Sequence, residues 1–320
     1  MRSSCLAVVA AVLSLSGQVR GQAPSPTIDH HQHLFSPSSA ALAPGINPVD
    51  ADALVKLLDI AGIQRAAVLS VAYQFGNPNR PPVNNEYEMV RDENDWTSQQ
   101  VARFPKRLVG FCGMNPLKGY ALAELARCAS DPHLRAGVKL HFGNSDVDLD
   151  NPEDVSRLRA VFAAANSRRM AVVVHLRPSV TRKRPYGAQQ ARVFLDQVLT
   201  AAPDVTVQIA HLAGAGTYDD PAVDEALAVF VEAVARGDKR MANVYFDISG
   251  VTGLGQWADK VTLVATRIRQ LGVGRILYGS DGAAGPNLRP REASLAFRRL
   301  PLSEAEFRTI ETNVAPYMQQ

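Results

Sequence analysis

His31-Gln32-His33 sets two imidazoles two residues apart. Along an extended strand side chains alternate between faces, so Asp29, His31 and His33 share one side and His30 and Gln32 the other. Two neutral imidazole nitrogens on one strand can hold a single divalent ion at about 2 Å, and zinc suits such donors. Other histidines recur in the same setting. His141 closes Gly137-Val138-Lys139-Leu140, His175 closes Ala171-Val172-Val173-Val174, and His211 closes the run that begins at Thr206. Gly279-Ser280-Asp281 follows the last β-rich run, and of the seven histidines only His30 and His133 fall elsewhere.

Bringing these groups to one place requires strands whose ends lie together. β-rich runs at 28–31, 66–71, 108–112, 137–141, 171–175, 206–211, 243–249 and 275–278 alternate with amphipathic stretches such as 52–58, 153–168, 189–199 and 225–234. The second of those stretches carries a start signal, with Asn151 as cap, Pro152 at the first helical position and the acids Glu153 and Asp154 in the first turn. Val172-Val173-Val174 is apolar on both faces, as expected of a parallel strand covered by helices. Eight strand-then-helix units without a breaking linker indicate a single-domain (β/α)₈ TIM barrel, in which chemistry gathers at the C-terminal strand ends. A doubly wound open sheet is the alternative, but no Gly-x-Gly-x-x-Gly follows an early strand, so dinucleotide binding is not indicated. The Pro-, Gly- and Asn-rich segment 73–85 reads as a lid, a homo-oligomer contact or a plain surface loop.

The chain has 320 residues, 46% of them hydrophobic, enough for a large core. A net charge of +3 argues against a nucleic-acid partner. Arg2, the apolar run 5–13 and the small residues Gly21-Gln22-Ala23 follow the order of a secretory signal. Residues 1–23 are therefore expected to be cleaved, leaving a secreted or periplasmic domain over 24–320 that does not associate with membranes. The alternative is a buried N-terminal helix; the run is too short to span a bilayer core of about 30 Å. Cys5 would go with the signal. Cys112 and Cys128 could pair in an oxidising compartment, but they read as buried free thiols without a metal role.

Taken together, His31-Gln32-His33, Gly137-Val138-Lys139-Leu140-His141, Val174-His175, Ala210-His211-Leu212 and Tyr278-Gly279-Ser280-Asp281 resemble a known motif set. It is that of the amidohydrolase-related branch of the amidohydrolase superfamily, which includes the aminocarboxymuconate-semialdehyde decarboxylase group and several lactone hydrolases. The stretches 104–111 and 311–315 add to the likeness. The resemblance implies that His31, His33, His175 and Asp281 bind one divalent metal, zinc before manganese or iron. It implies that Asp281 serves as general base and acid toward a water, while His211 joins the ion in polarising a carbonyl. In two-metal relatives a lysine from the fourth strand is carboxylated, which makes Lys139 either a carbamate bridge to a second ion or an ordinary partner of Asp29 or Asp281. His141 reads as a substrate contact or a support for the ligands.

The loop after His175 carries Arg177, Arg182, Lys183 and Arg184, and Arg177 is best placed to clamp a substrate carboxylate. Tyr73 and Trp257 are candidate pocket aromatics. The expected activity is hydrolysis of a small carboxylate-bearing ester, lactone or amide. Non-oxidative decarboxylation of an aromatic or unsaturated acid is the alternative. A metal-free lactonase and an inactive binding barrel are the remaining readings.

Overall fold

A computed structural model describes residues 25–42, 45–218, 220–252 and 260–319; the expected signal segment and Trp257 lie outside them. The eight strands are β1 Ile28–Gln32, β2 Arg65–Leu69, β3 Leu108–Gly113, β4 Gly137–His141, β5 Ala171–His175, β6 Val207–Ile209, β7 Val244–Asp247 and β8 Ile276–Leu277. They form one parallel sheet in sequential order. At the seam, His30 N–H donates to the Tyr278 carbonyl (2.9 Å) and Asp281 N–H to the His31 carbonyl (2.9 Å). Helices cover the outside, so the architecture is that of a nearly closed (β/α)₈ barrel. Among the described residues no helix is long and apolar enough to cross a membrane.

The two-residue strand period divides the apolar residues between two cores. Ala66 and Val68, Val138 and Leu140, and Val172 and Val174 face the helices. Ala67 and Leu69, Phe111, Ala171 and Val173, and Leu277 fill the barrel interior together with Ala315, Tyr317 and Met318 from the C-terminal segment. The same period carries the inward rows of β4 and β5 on to Lys139, His141 and His175. Space inside is tight: a Cβ at Gly113 would run into the Ser70 carbonyl.

Several expectations about local structure need correcting. β1 does not alternate cleanly, because its register against β2 slips between Asp29 and Gln32. This extra residue brings the Gln32 amide onto Asp29 Oδ2 (2.7 Å), although simple alternation puts the two on opposite faces. β6 ends at Ile209, short of His211. The amphipathic stretch 189–199 is helical throughout, an α-helix over Ala188–Val193 that continues as a π segment over Phe194–Val198 and a 3₁₀ turn over Leu199–Ala201. The helix Pro152–Ser167 begins as read, with the Asn151 side chain accepting from Glu153 N–H.

Cys112 and Cys128 are not free thiols: they form a disulfide. Cys112 lies on the helix-facing side of β3, and Cys128 extends the inward stripe Ala121, Glu124, Leu125 of the helix Ala121–Ala129. Strand and helix phases thereby bring the two Cα atoms to 6.0 Å. Closing a loop of this length stabilises by about 3 kcal/mol in the chain-entropy account. Cys112→Ser with Cys128→Ser is expected to lower folding stability by that order, measured as a shifted urea midpoint; no shift would contradict the pairing.

Candidate active site

At the C-terminal mouth His31, His33, Lys139, His141, His175, His211 and Asp281 line one cavity of about 250 Å³, with Tyr73 and Asn287 on its walls. Distant segments thus converge as the strand-end reading required. The sequence-identified groups are together, except for Arg177.

Each imidazole's chemistry is set by what its Nδ1 meets. His31 Nδ1 lies 3.0 Å from Asp247 Oδ2, His33 Nδ1 lies 2.6 Å from the Leu69 carbonyl, and His211 Nδ1 lies 2.7 Å from the Ser249 carbonyl. A carbonyl or an ionised carboxylate can only accept, so these three rings carry their proton on Nδ1 and turn an Nε2 lone pair to the cavity. His141 is the reverse. Its Nδ1 accepts the Asn144 N–H (3.1 Å), which leaves Nε2 as a donor. Its ring stacks on His175, centroids 3.8 Å apart, and lies 5.1 Å from Tyr73; His175 in turn meets His211 edge-on at 5.0 Å. Burial holds all five rings neutral: His31 is pushed down to about 3, His33, His141 and His175 well below the imidazole range, and His211 below it too. Neutral imidazoles are the form that binds metals.

Asp247, which the sequence reading passed over, organises this arrangement. It closes β7 on the inward side and is fully buried. Its Oδ1 accepts from Ser249 N–H (3.0 Å), the Ser249 hydroxyl (2.6 Å) and His211 N–H (3.1 Å); its Oδ2 accepts from Gln208 (2.6 Å) and His31. Burial works against ionisation, but the His31 ring, His211 and these donors outweigh it and hold the carboxyl well below its usual range. The available signal was an acid ending the otherwise apolar run Val244-Tyr245-Phe246. His211 itself is aimed by the main chain. His211, Leu212 and Ala213 have φ of 55°, 49° and 66°, a left-handed run rare for residues with side chains. The bond from His211 N–H to Asp247 pins one end and the Tyr186 hydroxyl, donating to the Ala213 carbonyl, pins the other.

Asp281 also has a left-handed backbone, φ 54°. Its Oδ1 lies 3.6 Å from His33 Nε2, and Asn287 donates to Oδ2 (3.1 Å). Burial pushes its carboxyl up to about 7, against the pull of the Lys139 ammonium. Lys139 pairs with neither Asp29 nor Asp281 by direct contact. Asp29 is taken up by Gln32 and Ser280, while Lys139 Nζ points at His31 Nε2 (3.0 Å). Burial pulls Lys139 down to about 8, opposed by Asp247 and Asp281.

Among the described residues, three His/Cys/Asp/Glu groups have ligand atoms within 4.8 Å of one another: His31-His33-Asp281, His31-His211-Asp247, and the disulfide cysteines with Glu124. His175 belongs to none of them, although it lines the same cavity. The first group is the metal candidate, since Asp247 already accepts from both of its histidines. Two Nε2 lone pairs with a carboxylate form a donor set that fits a divalent ion.

Arg177 stands aside. It lines a neighbouring cavity with Thr217 and Asp220, its Nε and Nη2 are spent on Asp220 Oδ2 (3.0 and 2.9 Å), and it lies over the Tyr186 ring at 4.8 Å. Its Nη1 is buried without a hydrogen-bond partner. Two other cations of this loop, Arg182 and Arg184, are structural. Arg182 reaches Asn79 and Asp146, and Arg184 reaches Asp146 and Asp148. Asn79 also donates to the Gly143 carbonyl (3.0 Å), so the segment after β2 straps down the loops after β4 and β5.

The amidohydrolase family model matches residues 28–312. Solved structures share the fold. A dihydroxybenzoic acid decarboxylase from Polaromonas, with bound manganese and the inhibitor 2-nitroresorcinol, has a TM-score of 0.62 at 18% identity, covering 92% of this chain and 97% of that one. The 5-carboxyvanillate decarboxylase of Sphingomonas paucimobilis gives 0.60 at 17%, covering 90% and 97%. A probable 2-pyrone-4,6-dicarboxylic acid hydrolase from Acinetobacter baumannii, with citric acid bound, gives 0.56 at 17%, covering 89% and 96%. No curated protein matches the chain by sequence.

Proposed function

Since the chain belongs to the amidohydrolase family, we propose that it is a metal-dependent hydrolase of a small carboxylate-bearing ester, lactone or amide. The observation that carries this reading is that His31, His33 and Asp281 bring ligand atoms within 4.8 Å of one another, with the Nδ1 of each ring tied back. His31, His33 and Asp281 would hold one divalent ion, zinc by donor type, with His175 as a further ligand from across the cavity. When bound, such an ion acidifies a water toward pKa ~7 and polarises a carbonyl. Asp281 takes the proton of the attacking water on its carboxylate and returns it to the leaving group. His211 presents a lone pair, so it accepts a hydrogen bond from that water or a substrate hydroxyl. It cannot donate to an oxyanion, and the neutral donor suited to that task is His141 Nε2. Lys139 competes for the His31 lone pair; its carboxylation would remove that competition and create a ligand for a second ion.

The expected clamp on a substrate carboxylate, Arg177, is not assigned that role: it lines a neighbouring cavity, its fork is on Asp220 and its Nη1 is buried. Arg177→Lys is therefore expected to leave KM within about threefold of wild type. A tenfold rise would return Arg177 to the substrate site. Export to the periplasm or beyond is part of the proposal, and the disulfide supports it because such bonds persist in oxidising compartments.

Decarboxylation by the same residues is the second reading, supported by the decarboxylases among the structural neighbours. Elemental analysis of the purified protein is expected to find about one first-row metal per chain and a marked loss in His175→Ala; a metal-free wild type would sink the site. Carbon dioxide release against ring-opened or hydrolysed product, measured on candidate acids, then separates the two reactions.

A further inference from the structure

The C-terminal 3₁₀ turn Pro316–Met318 is plugged into the barrel rather than lying on its surface. Tyr317 is 2% exposed, with its ring edge-on to Phe111 at 4.9 Å and to His30 at 6.2 Å. Its hydroxyl donates to Gln208 Oε1. The Gln208 amide cannot be reversed freely, because its Nε2 also donates to the His30 carbonyl (3.2 Å), which can only accept. That same Nε2 donates to Asp247 Oδ2 (2.6 Å), and Asp247 Oδ2 also accepts from His31 Nδ1–H. The donor direction therefore runs one way from Tyr317 to Gln208 and from Gln208 to Asp247. It leaves Asp247 purely an acceptor and His31 Nε2 a lone pair, as its contact with the Lys139 ammonium requires.

We propose that Tyr317, seated inside the barrel away from the mouth, is a positioning residue that fixes the aim of His31 through Gln208 and Asp247. The link to metal affinity rests on the metal-site reading above; the link to the His31–Asp247 bond does not. Without the hydroxyl, Gln208 keeps its bond to His30 but loses the partner on Oε1. The amide then rotates, and the Asp247 oxygen facing His31 loses a donor. Loss of such outer partners of a ligand typically weakens metal affinity 10–100-fold.

The test uses Tyr317→Phe, which preserves the ring packing. In metal-free protein labelled with ¹⁵N-histidine, His31 is expected to show a protonated Nδ1 and an unprotonated Nε2 in both proteins. The Nδ1 proton is expected to exchange faster with solvent in the variant, where its bond to Asp247 is weaker. Competition with a chromogenic chelator is expected to give about tenfold weaker zinc binding in the variant. In an Asp247→Asn background the Phe substitution is expected to add nothing, a non-additivity that mere loss of packing would not produce. Identical exchange of the His31 Nδ1 proton in the wild type and Tyr317→Phe would overturn the proposal, as would additive effects in the cycle. If wild type takes up no zinc while the exchange difference is present, the metal reading falls and the relay stands.

Discussion

Asp281→Asn is expected to lower kcat about 10²- to 10⁴-fold, the range for removal of a group that moves a proton in the rate-limiting step. Asparagine is the informative replacement because of the backbone. Asp281 has φ 54°, and Asn tolerates the left-handed region about as well as Asp, whereas alanine would add strain to the chemical loss. The Asp281 N–H bond to the His31 carbonyl, which closes the barrel seam, is a main-chain bond and survives. The fold should therefore be intact by circular dichroism, and the lost rate assignable to the carboxylate. The variant also loses one proposed metal ligand, so turnover is measured with metal in excess over the variant's own dissociation constant. A kcat within threefold of wild type under those conditions would remove Asp281 from the proton path.

His31→Ala and His33→Ala should both abolish metal uptake yet differ sharply in stability. His33 gives up one bond to a main-chain carbonyl, and its ring is at the cavity wall. His31 is the partner of a fully buried carboxylate, and its removal strips Asp247 of one donor. A hydrogen bond to a charged group contributes about 1.5–3 kcal/mol, so His31→Ala should cost about 2–3 kcal/mol and His33→Ala markedly less. Denaturant midpoints at unchanged slope measure the difference. Equal destabilisation would mean that Asp247 does not depend on His31, and retention of stoichiometric metal by either variant would exclude that residue as a ligand.

The barrel was legible because its signal is repeated. Eight apolar runs, each buried on both faces and each followed by a helical pattern, leave few other ways to arrange the chain. The histidines were legible for the same reason, since each closes one of those runs. What stayed hidden depends on phase across elements. The Cys112–Cys128 bond needs the strand's outward side and the helix's inward stripe to coincide, which spacing alone does not disclose. The slip in β1 that joins Gln32 to Asp29 has no glycine or proline to announce it. Asp247, Gln208 and Tyr317 are polar residues inside a barrel whose neighbours are apolar, and only contact shows that they serve one imidazole. Arg177 was legible as a cation at the rim but not as a partner of Asp220, which lies far along the chain.

The inverted run at His211–Ala213 has a consequence for how this mouth can change. Each such residue sits in a region of backbone space that costs of order 1–3 kcal/mol, and Asp247 and Tyr186 clamp the two ends of the turn against that cost. The direction of the His211 ring is therefore set by main-chain handedness together with its Nδ1 bond to the Ser249 carbonyl. A substitution at Tyr186, remote from any chemistry, would release the Ala213 end and disturb the aim of that imidazole without altering it.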